Sequence, residues 1–217
     1  MSQHPLTLLR FTNKKLKEKL TVSDSKKLFH EQFPYVIPGL YKRIVDEMLV
    51  ELNLLNHQKE FAQEHLFCIG LTETFKKLMK GYKPEQHLDL LFDSLCNSAN
   101  FESKEIKEIS QKSQEEFKDQ SSKDLFKLLK DKSSENLYPS RIVNLGLYIL
   151  ISNSKDLKGK SKTDLNKVVS DIFEKLNLSV NKAEKDIGIY ESSISKLEQA
   201  KELIEELKLK DKEKSKK

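Results

Sequence analysis

The sequence predicts an all-α protein, a single helical bundle with a long C-terminal coiled-coil helix projecting from it. Three observations predict this class. Apolar residues recur at steps of three and four along most of the 217-residue chain, the period of a helix with one buried stripe. Alternation of the strand type, punctuated by glycine turns, is missing from a chain with 6 glycines. From Val180 the three-four spacing tightens into a heptad seam. This length supports one sizeable core. The expected organisation is a basic, partly disordered arm over 1–22, a helical bundle over 23–178, the coiled-coil helix over 179–208 and a disordered lysine-rich tail over 209–217.

The arm carries no acidic residue before Glu18, and it lacks both a long apolar run and a small-residue cleavage site, so no signal peptide is readable. Ser23 or Ser25 can cap a short helix to about Gln32, with Leu28 and Phe29 turned inward. Pro34 and Pro38 then fix φ and hold Phe33 and Ile37 out of the α region, so the next helix starts near Pro38. Its apolar stripe is Tyr41, Val45, Met48, Leu52 and Leu55, roughly five turns. The opposite face carries Lys42, Arg43, Asp46, Glu47 and Glu51, with Lys42 to Asp46 and Arg43 to Glu47 spaced for surface ion pairs. Residues 56–64 read as a polar loop with Phe61 tucked back.

A helix from about His65 to Lys80 follows, with Phe67, Leu71, Phe75, Leu78 and Met79 on one side and Lys76, Lys77 and Lys80 at its negative end. Gly81 stops it. Pro84 opens a helix whose stripe is Leu88, Leu91, Phe92 and Leu95, and the short connection makes the two antiparallel neighbours. Ser103 can cap the following segment to about Lys118, where Ile106, Ile109 and Phe117 stand among many charges, the pattern of a surface helix or a partly ordered stretch. Leu125, Phe126, Leu128 and Leu129 form a compact apolar turn. The run from Pro139 through Leu150 is apolar nearly all round and belongs at the centre of the bundle. Ser161 or Thr163 caps a helix with the stripe Leu165, Val168, Val169, Ile172 and Leu176.

The last helix places Val180, Ala183, Ile187, Tyr190, Ile194 and Leu197 on its seam. A step of three to Ala200 is a stammer, after which Ile204 and Leu207 resume the pattern. From 179 to 208 the helix is on the order of 45 Å long, beyond a typical domain helix. Its distal half is expected to project or to meet a partner.

Several of these segments, read as runs of spaced identities, resemble the thylakoid formation protein family, also described as photosystem II biogenesis accessory proteins. They are YKRIVDEMLVELNLL at 41–55, LFCIGL and MKGYKPEQHLDLLFDSLC within 66–96, YPSRIVNLGLYILIS at 138–152, and KDIGIYESSISKLEQAKELIEEL near the C-terminus. The resemblance spans about Ser23 to Leu207. It implies a non-enzymatic role in photosynthetic membrane biogenesis and in photosystem II assembly and repair, through association with the FtsH-type thylakoid protease. Plant members carry a plastid transit peptide, and none is read here, so the resemblance implies a cyanobacterial protein on the cytoplasmic side of the thylakoid membrane.

Composition and motifs exclude several other functions. The net charge of +5 is built on lysine, with arginine only at 10, 43 and 141, and there is no Trp. Sequence reading of nucleic acid favours arginine forks and aromatic platforms, so no nucleic-acid partner is expected. The longest apolar runs, 66–71 and 145–151, fall far short of the ~20 residues a membrane-spanning helix needs. His30-Glu31 begins a zinc-protease pattern, but Pro34 stands where the second histidine belongs. Gly159-Lys160-Ser161 copies the end of a phosphate loop with Ser154 in place of its first glycine, and reads as a polar loop before a helix cap. His65 and Cys68 share a helix face, but two ligands do not make a metal site. Cys68 and Cys96 read as two buried free thiols. No catalytic, cofactor or metal residue is therefore assigned.

The candidate partner-binding residues are Arg43, Asp46, Glu47, Val50 and Glu51 on the charged face of the Tyr41 helix, and Lys201, Glu202, Glu205 and Lys208 on the coiled-coil end. Both surfaces are expected to be exposed without an internal task. The lysine tail admits contact with an acidic partner or with an anionic thylakoid bilayer, where each surface lysine contributes about 1 kcal/mol, besides the plain role of a solubilising tail.

Overall fold

The computed structural model describes residues 19–132 and 137–214, with the backbone alone at 132, 208, 209 and 211–214. Most of the expected basic arm, the segment 133–136 and the last residues of the tail, 215–217, lie outside the described residues. Helices α1 (Val22–Gln32), α2 (Gly39–Asn56), α3 (His65–Leu78), α4 (Leu88–Ser98), α5 (Ser103–Glu116), α6 (Ser122–Lys132), α7 (Arg141–Ser152), α8 (Lys162–Lys175) and α9 (Val180–Lys214) follow in order, and a single 3₁₀ turn at Glu85–His87 precedes α4. No strand occurs among the described residues.

Helix α3 is the axis of the bundle. Leu66, Phe67, Cys68, Ile69, Gly70 and Leu71 are all buried at its first two turns, so it is enclosed on every side. Its largest contact is with α7, the run expected at the centre. The two backbones touch. A Cβ at Gly70 would lie 2.0 Å from the Ile142 carbonyl oxygen, and one at Gly146 would lie 2.0 Å from that of Leu66. Each glycine is thus the notch into which the other helix settles.

Helix α5 covers the next face of α3, and serine is the reason its periodicity is faint. Ile106, Ser103, Ser110 and Ser113 form its buried side. Ser110 Oγ lies 2.6 Å from Thr72 Oγ1, and Ser113 Oγ lies 2.7 Å from His65 Nδ1. Small hydroxyl residues let the helices approach while satisfying each other's polar atoms. The expected surface helix is therefore an integral wall of the bundle.

Several ends differ from expectation by a residue or two. Thr21, not Ser23 or Ser25, caps α1 through a capping box with Asp24, and Ser25 is buried, accepting from Asn53 Nδ2 at 2.8 Å. Ser103 is the first residue of α5 rather than its cap. Pro84 precedes the 3₁₀ turn instead of opening the α-helix. Gly81 ends the α3 region with φ of +82°, and Ser140 and Ser161 cap α7 and α8 by accepting from the amides of Val143 and Asp164. Phe61 does fold back, against Phe67, Phe101 and Tyr138.

Helix α9 divides into two parts. Ala183, Ile187, Tyr190 and Leu197 are buried against the bundle, so this part of the heptad seam is packed within the chain. Asn144 donates to Asp186 at 2.8 Å and Tyr148 to Glu191 at 2.8 Å, which ties α9 to α7. Lys201 reaches the Lys80 carbonyl at the negative end of α3 and stands 5.9 Å from the Tyr41 ring centre. Beyond it Leu203, Ile204 and Leu207 are 57, 41 and 52% exposed. The helix runs on to Lys214, past the point where a disordered tail was expected, because Lys, Leu and Glu are strong helix formers and no Gly or Pro interrupts them.

The Gly70/Gly146 notch makes a direct prediction. Gly146→Ala should destabilise the fold by about 1–3 kcal/mol through overpacking and lower the melting temperature by roughly 2–12 °C. Gly188→Ala, on exposed α9 with nothing within 4 Å of its Cβ, should be neutral or slightly stabilising. Circular dichroism melts of both variants check this.

Candidate functional site

A groove of about 830 Å³ runs along α2, bounded by α1, the 138–140 segment, the start of α7 and the start of α9. Its position follows from local folding. Asn53 of α2 donates to the Leu20 carbonyl and to Ser25 of α1, each at 2.8 Å, which sets the α1 wall. On the opposite wall Glu51 accepts from Arg141 Nε at 2.8 Å and also from its Nη2, so the first residue of α7 is held against α2. Lys182 of α9 donates to the Pro139 carbonyl at 2.6 Å.

The groove has an apolar strip made by Val50, Leu54, Leu55, Tyr138 and Pro139. Leu54 is 54% exposed. On α2 the charges are neutralised in place: Lys42 meets Asp46 at 3.0 Å and Arg43 meets Glu47 at 2.8 Å. Lys26 and Lys182 also line it, and neither has a carboxylate partner among the described residues.

The structure gathers Arg43, Asp46, Glu47, Val50 and Glu51 on this groove. Glu51 is not part of an exposed charged face, since its side chain is only 17% exposed and spent on Arg141. The reason is tertiary, because the partner lies on α7. Burial pushes the Glu51 carboxyl above its ordinary range, opposed by the charge and hydrogen bonds of Arg141. Lys201, expected to be exposed, is half-buried and engaged with Lys80 and Tyr41, while Glu202 and Glu205 are exposed. The side chain of Lys208 lies outside the described ones. Sequence reasoning missed Lys26, Leu54, Tyr138, Pro139, Arg141 and Lys182. Leu54 had a signal, four residues after Val50 and off the main stripe; the others had none.

The remaining chemistry-bearing residues have structural roles. His65 is bonded to Ser113. Cys68 and Cys96 are free and buried, and burial raises both thiols, Cys68 to about 12. Gly159 turns with φ of +77° before the Ser161 cap. No group of three or more potential metal ligands gathers among the described residues, and no described helix is long and apolar enough to cross a membrane.

Against known proteins the architecture is a close fit. The chain is similar to a solved structure described as Psb29, with a TM-score of 0.79 and 26% identity, covering 91% of this chain and all of that one. The thylakoid formation protein family matches residues 21–217. The chain belongs to that family. Among thylakoid formation relatives, the Protein Thf1 of Prochlorococcus marinus strain MIT 9312 is 76% identical over 200 residues, covering 92% of this chain and 100% of the relative. That of strain CCMP1986 is 70% identical over 202 residues, with 93% and 100% covered, and that of Parasynechococcus marenigrum is 35% identical over 201 residues, with 92% and 94% covered. The family match takes in every groove residue named above and all of α9.

Removing the α7 side of the ion pair should expose its role. Arg141→Met leaves a buried carboxylate uncompensated and should cost about 2–4 kcal/mol at pH 7–8. A carboxyl whose folded pKa is raised favours the native state below its unfolded pKa and loses that contribution as pH rises through the folded value. The penalty should therefore shrink as pH falls through the Glu51 titration. Urea melts of both proteins from pH 4.5 to 8 measure it.

Proposed function

We propose that this thylakoid formation family member is a non-enzymatic accessory protein of photosynthetic membrane biogenesis. In this reading it serves photosystem II assembly and repair by associating with the FtsH-type protease at the cytoplasmic side of the thylakoid membrane. The observation that carries the reading is the α2 groove: an open, partly apolar cleft on a rigid bundle, lined by charged groups that have no reaction to perform. Such a surface binds a segment of another macromolecule. The family membership supplies the membrane system in which that partner is sought. The lysines that follow Leu207 in α9 favour a second reading, a peripheral protein that organises anionic thylakoid lipid through its basic end.

A pull-down with the tagged chain from detergent-solubilised thylakoids tests the first reading, and sedimentation with anionic liposomes tests the second. Under the first reading the intact chain recovers the FtsH-type protease, and Leu54→Asp, at an exposed position, reduces recovery at least about fivefold, as loss of a contact worth roughly 1 kcal/mol would. Under the second, the chain sediments with anionic liposomes at low salt and is released as salt rises, since screening shortens the reach of its lysines. No protease recovery by the intact chain at low or moderate salt would overturn the first.

A further inference from the structure

Two exposed features of the molecule complement each other. The first is the groove, with its strip of Val50, Leu54, Tyr138 and Pro139 and two cations, Lys26 and Lys182, that have no carboxylate partner among the described residues. The second is the part of α9 beyond the Lys201 contact. There Leu203, Ile204 and Leu207 stand in water, and Glu202 and Glu206, one turn apart, lie beside them, both exposed. The first turns of this end, 202–207, are acidic and amphipathic, and they precede the lysines that begin at Lys208; such a stretch has the shape and charge that complement the groove.

We infer that the end of α9 from one copy of this chain docks in the α2 groove of a second copy. Dimensions agree: residues 202–214 make a helix of about 20 Å, and the α2 wall from Arg43 to Asn56 is about 20 Å long. Polarity agrees as well. Lys26 follows Ser25, which accepts from Asn53, and Lys182 binds Pro139 beside the Arg141–Glu51 pair, so both cations flank the C-terminal half of α2. Asp46 and Glu47 lie toward its N-terminal half. In α9 the acidic residues come first, and Lys208 and Lys210 follow. An antiparallel arrangement against α2 brings Glu202 and Glu206 to Lys26 and Lys182.

The same molecule cannot satisfy its own groove. Helix α9 starts at the groove with Lys182 and is anchored again at Lys201, about 28 Å further along one unbroken helix. The free end points onward, so a second copy must supply it. The contact joins two different surfaces, so it is heterologous and builds either a reciprocal pair or a head-to-tail chain. It uses the same groove and the same Leu54 as the proposed partner contact, but its test uses the purified chain alone and so reads self-association apart from that contact.

Sedimentation velocity on the full chain, at concentrations up to about 1 mM, tests the docking, because so small an interface implies a dissociation constant of roughly 10 µM to 1 mM. Wild-type protein is expected to associate as concentration rises. Leu54→Asp in the groove and Leu203→Asp/Leu207→Asp in the helix end are each expected to stay monomeric, with helix content and melting temperature unchanged. Mixing these two variants should restore association and stop at one-to-one, since each keeps one intact surface. Lys26→Glu/Lys182→Glu should weaken association about tenfold, and adding Glu202→Lys/Glu206→Lys to the same chain should recover it. Wild-type protein that stays monomeric overturns the inference. Loss of association in the helix-end variant but not in Leu54→Asp also overturns it, because that is end-to-end pairing of α9. A charge-reversed quadruple variant as weak as the double variant overturns it too.

Discussion

The contact on which this structure depends is the crossing of α3 and α7 at Gly70 and Gly146. Backbone meets backbone there, with no side chain between, and a single added methyl on either helix would collide with a carbonyl of the other. Because interiors are close-packed, such a crossing fixes both helices rather than cushioning them. Helix α7 in turn carries α9 through Asn144 and Tyr148, and its first residue, Arg141, meets Glu51 of α2. The groove therefore inherits its geometry from two glycines in the core.

The distribution of charge follows a simple division. On α2, carboxylate and cation one turn apart neutralise each other at the surface and contribute little to stability. Where a pair is withdrawn from water, at Glu51 and Arg141, it joins two helices and removing one side is costly. Lys26 and Lys182, which have no acidic partner among the described residues, line the groove. The same division runs along α9, whose packed part buries its seam and whose free end keeps both its apolar stripe and its carboxylates in water.

In this member of the thylakoid formation family the residues that hold the fold are distinct from those left exposed. The core glycines, the serine-rich α5 interface and the Lys201 contact hold the bundle. The groove and the end of α9 are left exposed, each with an apolar strip beside charged groups. Helix α9, held at Lys182 and again at Lys201, is anchored at both ends of its packed part.

The helical class, the order of the helices and most of the core were legible in the sequence, because apolar spacing and proline or glycine stops are local signals. The heptad run announced α9 and the i,i+4 charges of α2 announced one wall of the groove. What local pattern could not carry was decided by tertiary structure. Serines on α5 read as surface until Thr72 and His65 met them. Gly70 and Gly146 carry no local signal of the crossing, which exists only because their two backbones touch. Glu51 read as a solvated charge until Arg141, 90 residues away in sequence, closed on it, and Lys201 read as free until the end of α3 offered a carbonyl. Sequence periodicity determines which face of each helix is buried; which helix covers it, and hence where a groove opens, depends on contacts between segments far apart in the chain.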